Sequence, residues 1–254
     1  MLNLPPNRHP FEVQAIHLRS YPFDENNLVA VLFTREYGVL RAVARGVRKP
    51  KSRLAGLISP LRCNHLILKS GRNLHSISQA ENIHSFSAIQ QDYDKLMVGL
   101  AIGELVSQFC QESDAQPELY DALLATLHQL CKHPEPRHLM LWFMLYFLEL
   151  QGYFESWEQC QSCGKEVKDH LEFYQNVLEG GLRCKGCKQS PDHRYVSSPQ
   201  LRALQFVHQS PQTPELELNA KDTNQLIWNL QQQFQHLVGH ELKTFSFLYP
   251  MQTL

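Results

Sequence analysis

The spacing of apolar residues in the first third of the chain is typical of short β-strands. Turn-type sequences separate the apolar stretches, for example at residues 21–27 and 70–73. In the third stretch Leu40, Ala42 and Ala44 share one parity and are small enough for the inside of a tightly curved sheet. Short strands without long helices between them predict a small antiparallel barrel. The five predicted strands are residues 11–20, 28–34, 39–47, 61–69 and 74–80.

The apolar period becomes helical after about residue 85, with apolar residues recurring every three or four positions. Pro117 and Pro199 stand where prolines start helices, and Gly152 and Gly239 stand where glycines end them. Residues 157–197 lack the helical period. We therefore expect an all-α helical bundle with an insert at 157–197. The predicted helices lie near residues 93–109, 117–130 and 137–151, from 198 onward, and at 223–238.

Positive charge is concentrated just after the third predicted strand begins. Residues 35–53 contain one acid, Glu36, and Pro50 prevents the strand from continuing through them. A curved strand that leads into a cationic loop suits a phosphate-lined polymer. The alternative is an ordinary solvated hairpin with scattered charge. The candidate nucleic-acid contacts are Arg35, Arg41, Arg45, Arg48, Lys49, Lys51 and Arg53.

The charge is also divided unevenly between the two parts of the chain. Residues 1–85 hold 12 Lys and Arg against 5 Asp and Glu, whereas residues 86–254 hold 12 against 20. This asymmetry indicates that the first part meets a polyanion. Five strands with a basic face are the pattern of an OB-fold. The aromatic residues Tyr21, Phe23 and Tyr37 of the barrel loops would either stack on bases or plug the end of the barrel.

Four of the seven cysteines form two Cys-x-x-Cys pairs, twenty residues apart. Four thiolates enclose Zn²⁺ tetrahedrally and leave no open position, which predicts one structural zinc ion and no hydrolytic role. Gly164 and Gly186 would permit the positive φ of a tight knuckle in each pair. A redox dithiol is the alternative. The predicted ligands are Cys160, Cys163, Cys184 and Cys187.

Other sequence features narrow the class of protein. The N-terminus has no apolar stretch of the secretory type, and the most apolar run, 139–150, is too short to span a bilayer. Seven cysteines without a secretion signal favour a cytoplasmic protein with no membrane partner. The phosphate-binding P-loop, the zinc deaminase signature and the Gly-x-Ser-x-Gly elbow are all absent from the sequence. These absences favour a protein that is not an enzyme.

Several of these stretches together resemble the bacterial RecO family of DNA repair proteins. The resemblance extends over nearly the whole chain and is most specific at Ala-Arg-Gly-Val-Arg-Lys-Pro-Lys-Ser-Arg (44–53) and at the cysteine pairs. Further matches lie at 32–38, at 148–153 leading into the first pair, and at 239–248. The resemblance implies a DNA-binding recombination mediator located in the cytoplasm with the nucleoid.

The resemblance also implies partners and roles. Such a protein would bind single- and double-stranded DNA without sequence preference and anneal complementary strands. It would help RecA loading together with RecR and the acidic C-terminal tail of single-strand-binding protein. The complete cysteine set implies the zinc-bearing kind of family member, and the basic residues of 41–53 become the DNA contacts.

The resulting expectation is an α+β multidomain protein with three segments. An OB-fold DNA-binding domain would occupy 1–85, a helical bundle 86–156 and 198–254, and the zinc-binding insert 157–197. The alternatives are a zinc-ribbon adaptor that binds RNA or protein, and a hydrolase or transferase with an unfamiliar site. Annealing of bare strands without a nucleotide distinguishes the mediator from both, and a preference for folded RNA favours the adaptor.

Overall fold

The structure is a computed structural model that describes residues 10–71, 74–112, 114–153, 156–168, 171–209 and 217–248. Its contacts group the chain into two compact units. The first runs to Lys132, and the second spans His133–Ser246, while Phe247 and Leu248 belong to the first. The segment boundaries predicted from the sequence, after residues 85, 156 and 197, mark changes between strands, helices and the cysteine insert. They stay a prediction.

The first unit contains the predicted five-stranded barrel. Its strand order is β1-β2-β3-β5-β4, and antiparallel pairing of β1 with β4 closes it. The pairing of β3 with β5 is parallel, which gives the Greek-key order of an OB-fold. The barrel and its fold class are thus confirmed. The strands are β1 (Phe11–Pro22), β2 (Leu28–Thr34), β3 (Gly38–Ala44), β4 (Cys63–Lys69) and β5 (His75–His84).

Alternation along the strands fills the barrel with apolar side chains of one parity. Leu40, Ala42 and Ala44 of β3 lie in this core, as their small size predicted. The strand ends at Ala44 and not at residue 47, because Gly46 adopts a φ of 65° in a turn. Val47 therefore packs inside the barrel. The whole core cluster is Phe11, Val13, Ala15, Ala30, Leu32, Leu40, Ala42, Ala44, Val47, Ile58, Leu66, Leu68 and Ile77.

Three helices complete the first unit: α1 (Ser87–Gln90), α2 (Tyr93–Phe109) and α3 (Pro117–Leu130). The carboxylate of Asp92 caps α2 by accepting the backbone N–H of Lys95 at 3.1 Å. Helix α2 packs on β1 and β2, and Tyr120 of α3 lies 5.8 Å from the ring of Phe33. These helices cover part of the outer face of the barrel.

The second unit combines helices with a small sheet. Nearly every residue of α4 from His138 to Leu148 is buried, as expected for a helix that is apolar nearly all round. It packs against α5 and α6, with Phe147 and Phe234 at 5.7 Å. The elements are α4 (Pro136–Leu150), β6 (Phe173–Asn176), β7 (Leu182–Cys184), β8 (His193–Val196), α5 (Ser198–Gln209) and α6 (Ala220–Val238).

The sheet has the order β7-β6-β8, and a single 3-10 turn at Lys185–Cys187 follows β7. Helix α7 (Phe245–Leu248) is the last described element. Among the described residues, no helix is both long enough and apolar enough to cross a bilayer.

Candidate nucleic-acid interface and metal centre

Residues 45–53, which we call the cationic turn, follow β3 directly. Successive backbone hydrogen bonds fold them into turns, among them Lys49 N–H to the Gly46 carbonyl and Ser52 N–H to the Lys49 carbonyl, each at 3.1 Å. Val47 within the turn and Ile58 after it bury their side chains in the barrel. The backbone of the turn is therefore fixed by hydrogen bonds and by its buried side chains. Its exposed cations are Arg45, Arg48, Lys49, Lys51 and Arg53.

The β1–β2 loop braces this turn. Asp24 Oδ1 accepts the backbone N–H groups of Asn26 and Asn27, both at 2.9 Å. The hydrogen bond from Asn26, followed by those from Asn27 and the charge of Arg48, holds the pKa of Asp24 below its usual value. Asn27 Oδ1 in turn accepts the N–H of Gly46 at 2.6 Å, and Arg48 N–H donates to the Asn26 carbonyl at 3.1 Å. The loop and the turn are therefore one preorganised structure.

A cleft of about 440 Å³ opens between the two segments. Its walls are residues 24–27 on one side and Arg45, Gly46 and Lys49 on the other. The cleft is charged on both sides, because Asp24 and Glu25 face the two cations. Phosphate would therefore meet the cations along the outer edge of the turn and not at the acidic wall.

Two of the seven cations that were predicted to contact nucleic acid differ from the other five, because each already forms an ion pair with a carboxylate. Arg35 forms a bidentate pair with Asp121, with both N–O distances at 2.9 Å, and this bond raises the pKa of the guanidinium. Arg41 lies on the outer face of β3 and pairs with Glu112 at 3.1 Å. The sequence placed all seven cations in one class, and the structure separates these two from the five of the cationic turn.

Gly38 explains how Glu112 reaches Arg41. The segment before α3 lies along β3, where Val39 N–H donates to the Gln111 carbonyl at 3.3 Å. Gly38 has a φ of 64°, and a Cβ there would stand 2.0 Å from the Asp114 carbonyl oxygen. Only glycine permits this approach, so the pairing of Arg41 depends on a residue three positions before it.

The strand register brings one further cation onto the outer face. A bulge between His17 and Arg19 sets Arg19 opposite Val31, which in turn lies opposite Arg41. Side chains in one cross-strand row point to the same face, so Arg19 and Arg41 share it. Arg19 is exposed and was not predicted. The only feature of the sequence that could have indicated an exposed Arg19 is the alternation of β1, and the bulge interrupts that alternation.

The three loop aromatics have different surroundings. Tyr21 and Phe23 are 40% and 54% exposed at the end of β1, beside the β1–β2 loop. Tyr37 instead packs against the barrel core, with its ring 5.6 Å from that of Phe11. Tyr37 therefore closes the barrel, and the two exposed rings remain available for stacking.

The four predicted cysteines come together in the second unit. Their sulfur atoms all lie within 4.8 Å of one another, and Cys163 Sγ is 3.7 Å from Cys184 Sγ. A tetrahedron with zinc–sulfur bonds of 2.3 Å has edges of about 3.8 Å. The separation is far too long for a disulfide bond. The donor set therefore fits a four-coordinate thiolate site for a metal ion.

The two knuckles are built differently. In the first, the Gly164 N–H donates to the Cys160 carbonyl at 2.8 Å, and Gly164 has a φ of 69° as predicted. In the second, Gly186 belongs to the 3-10 turn and does not have a positive φ. That part of the prediction is wrong, because a 3-10 turn brings two cysteines to one side without a left-handed residue.

The electrostatics of the cluster favour a cation. Burial opposes a charged Cys160, but hydrogen bonds from the backbone N–H groups of Cys184, Cys163 and Ser162 outweigh it and lower the pKa of Cys160 to about 6. Hydrogen bonds to Cys163 and Cys184 raise the pKa of Cys187 to about 12. Thiols this close cannot all ionise together without a positive partner.

Comparison with known proteins finds matches to two families, which together cover most of the chain. A family described as "Recombination protein O N terminal" matches residues 9–86, and one described as "Recombination protein O C terminal" matches residues 90–244. The chain is 30% identical over 181 residues to the DNA repair protein RecO of Bacillus cytotoxicus, covering 71% of this chain and 72% of that protein. The same-named protein of Caldanaerobacter subterraneus is 29% identical over 201 residues, covering 77% and 79%.

Proposed function

Since the chain belongs to the RecO family of DNA repair and recombination proteins, we propose that it binds DNA through its barrel and anneals complementary strands. Members of this family are mediators and not enzymes. The observation that carries the proposal is the cationic turn, whose five exposed cations are fixed on the barrel by Val47, Ile58 and the Asn27–Gly46 hydrogen bond.

The binding follows from counterion release. Each Lys or Arg that meets a phosphate replaces a condensed cation, which makes binding blind to sequence and sensitive to salt. For single strands, each contact adds about 0.7 to the slope of log affinity against log salt. The cationic turn supplies most of this effect, because Arg35 and Arg41 must first give up Asp121 and Glu112. Arg19 adds one exposed cation to the outer face that carries Arg41.

Annealing follows from the same charges. Two complementary strands repel each other through their phosphates, and cations at the barrel reduce that repulsion. Tyr21 and Phe23 would stack on exposed bases of one strand, as aromatic residues do on other single-strand-binding folds. A strand held by stacking and phosphate contacts keeps most of its base edges free for pairing.

We propose that the four-cysteine cluster holds one zinc ion. Cys160, Cys163, Cys184 and Cys187 would be its ligands, and when bound it would supply a rigid closed centre with no water to activate. The protein itself provides the two knuckles and the strand β7 that orient the sulfur atoms. Zinc would then stabilise residues 157–197 and would take no part in a reaction.

We propose that the protein acts in the cytoplasm at the nucleoid, and that it works with RecR and the C-terminal tail of single-strand-binding protein to help load RecA. The family resemblance supports these partners. In this scheme residues 1–85 bind DNA, the helices of 86–156 and 198–254 receive protein partners, and 157–197 form the zinc-braced insert.

A fluorescence strand-annealing assay in the presence of single-strand-binding protein tests the proposal. The test variant is Lys49→Ala/Lys51→Ala/Arg53→Ala, which we call the turn triple variant. The control is Lys132→Ala/Lys165→Ala/Lys221→Ala, which removes as many exposed charges elsewhere. The native and control proteins should anneal without nucleotide, and the turn triple variant should anneal at least about tenfold more slowly. Equal rates for all three would reject the barrel as the DNA-binding surface.

A further inference from the structure

The small sheet of the second unit has one buried face and one open face. Phe173 and Val196 are neighbours across β6 and β8, and both are fully buried. On the same face Gln175 accepts a hydrogen bond from Asn229 of α6 at 2.9 Å. The opposite parity contains Tyr174, which lies between Arg183 of β7 and Tyr195 of β8.

The aromatic residues of the open face contact each other, a lysine and a carboxylate, since the hydroxyl of Tyr174 donates to Glu172 at 3.2 Å. The rings of Tyr174 and Tyr195 meet edge to face at 5.9 Å, and Tyr195 is 52% exposed. The ammonium of Lys188 stands 4.3 Å from the centre of the Tyr174 ring. Exposed rings beside a cation are the composition of a surface on which bases stack and phosphates bind.

The charge of this region is opposite to that of its surroundings. Residues 183–194 contain four basic residues and one acid, although residues 86–254 as a whole have 12 basic and 20 acidic residues. Lys185 is also exposed here and pairs with Glu172 at 3.1 Å. A positive, aromatic patch within an acidic half complements a polyanion with flat bases better than it complements an acidic protein.

We propose that this open face, built from Tyr174, Lys188 and Tyr195, is a second binding site for single-stranded nucleic acid. The inference rests on the proposed annealing function, which needs two strands near one protein. Tyr195 would stack on a base and Lys188 would contact an adjoining phosphate, whereas Lys185 would have to give up Glu172 before it could contact another. The cysteine cluster would then also position a DNA contact, because Lys185 and Lys188 flank its ligands Cys184 and Cys187.

Photocrosslinking tests the site directly. The full-length protein is bound to an oligonucleotide that contains 5-iodouracil, irradiated, and digested to map the crosslinked peptides. The expected result is two crosslinked regions, one around Tyr21 and Phe23 and one that includes Tyr195. The Tyr195→Ala variant should lose the second crosslink and keep the first. Tyr195→Phe retains the ring and should keep both.

Annealing rates give a second readout. At DNA concentrations that saturate the barrel, Tyr195→Ala should anneal about tenfold more slowly, the size of one lost base–aromatic stack. Lys188→Gln should slow annealing by a smaller factor, and Tyr153→Ala, which removes another exposed ring, should have no effect. Zinc content measured for each variant excludes loss of the fold as the cause.

The outcomes separate this inference from the function on which it rests. Crosslinks at the barrel alone, with native annealing by Tyr195→Ala, would overturn the second site and leave the proposed function intact. A protein without crosslinks in either region would overturn both.

Discussion

The chain presents positive charge on two surfaces that are held in place by different means. The cationic turn is fixed by burial, since Val47 and Ile58 are part of the barrel core. The basic residues around β7 flank four thiols that could hold a metal ion, and in the proposed function that ion keeps them in place. A packed core stabilises a surface without any ligand, whereas a thiolate centre makes its surface depend on the metal. The two regions should therefore respond differently to the same treatments.

Metal removal should show the largest difference. The Cys160→Ser substitution, or removal of the metal with a chelator, should unfold residues 157–197, because a structural zinc site contributes on the order of 10 kcal/mol. The barrel should remain folded and keep its DNA affinity within a few-fold. Amide hydrogen exchange measured on both regions checks this. If amide protection is lost in the barrel strands as well, the two regions do not unfold independently.

The Phe23→Ala substitution should separate the contribution of stacking to the DNA affinity of the barrel from the contribution of charge. The affinity for single strands should fall about tenfold, because one base loses its stacking partner, while double strands, whose bases are already stacked, should bind as before. The salt slope should not change, since no cation is removed. Titrations with single- and double-stranded DNA at several salt concentrations measure both effects, and Phe23→Trp is the control. An equal loss for both DNA forms would argue against stacking.

Acid should destabilise the barrel through His17. Burial lowers the pKa of His17, whose Nε2 donates to the Arg19 carbonyl at 2.9 Å. The folded state therefore keeps His17 neutral while the unfolded chain takes up a proton below about pH 6.5. Stability should be fully present above that pH and should fall below it, by up to about 1.4 kcal/mol per pH unit for this one group.

Urea unfolding at pH 7.5 and pH 5.5 measures this loss. Burial also lowers the pKa values of His75 and His128, so some acid sensitivity should remain in any single variant. His17→Gln should show a smaller difference between the two pH values than the native protein. An unchanged difference would assign the acid sensitivity to other groups.

The smallest expected effect concerns the paired cations. Asp121→Asn removes the charge that neutralises Arg35 and leaves the guanidinium exposed. The affinity for single strands should rise a few-fold, and the salt slope should steepen by about 0.7, one additional phosphate contact. Fluorescence anisotropy across a salt series is sensitive enough to show it. If neither value changes, Arg35 lies away from the bound strand.

The sequence predicted the elements well because their signals are local. Alternation gave five strands, and Leu40, Ala42 and Ala44 marked the inside of the barrel. The spacing of the cysteine pairs was enough to predict the cluster. The strand β3 was predicted three residues too long, because Gly46 and Val47 continue the alternation but fold into a turn.

The features that the sequence did not give depend on contacts between distant positions. Arg35 and Asp121 are 86 residues apart, so no local pattern shows that the pair forms. The exposure of Arg19 next to Arg41 depends on a bulge and on the register of three strands. The open face of the β6–β8 sheet likewise becomes visible only when Tyr174 and Tyr195 are paired across strands.

The salt dependence of single-strand binding shows whether the cationic turn holds the DNA. The native protein and the turn triple variant are titrated with the same oligonucleotide from low to high salt. We expect the variant to bind more weakly, with a slope shallower by about two units, because three phosphate contacts are lost. An unchanged affinity and slope would contradict the claim that the cationic turn holds the DNA.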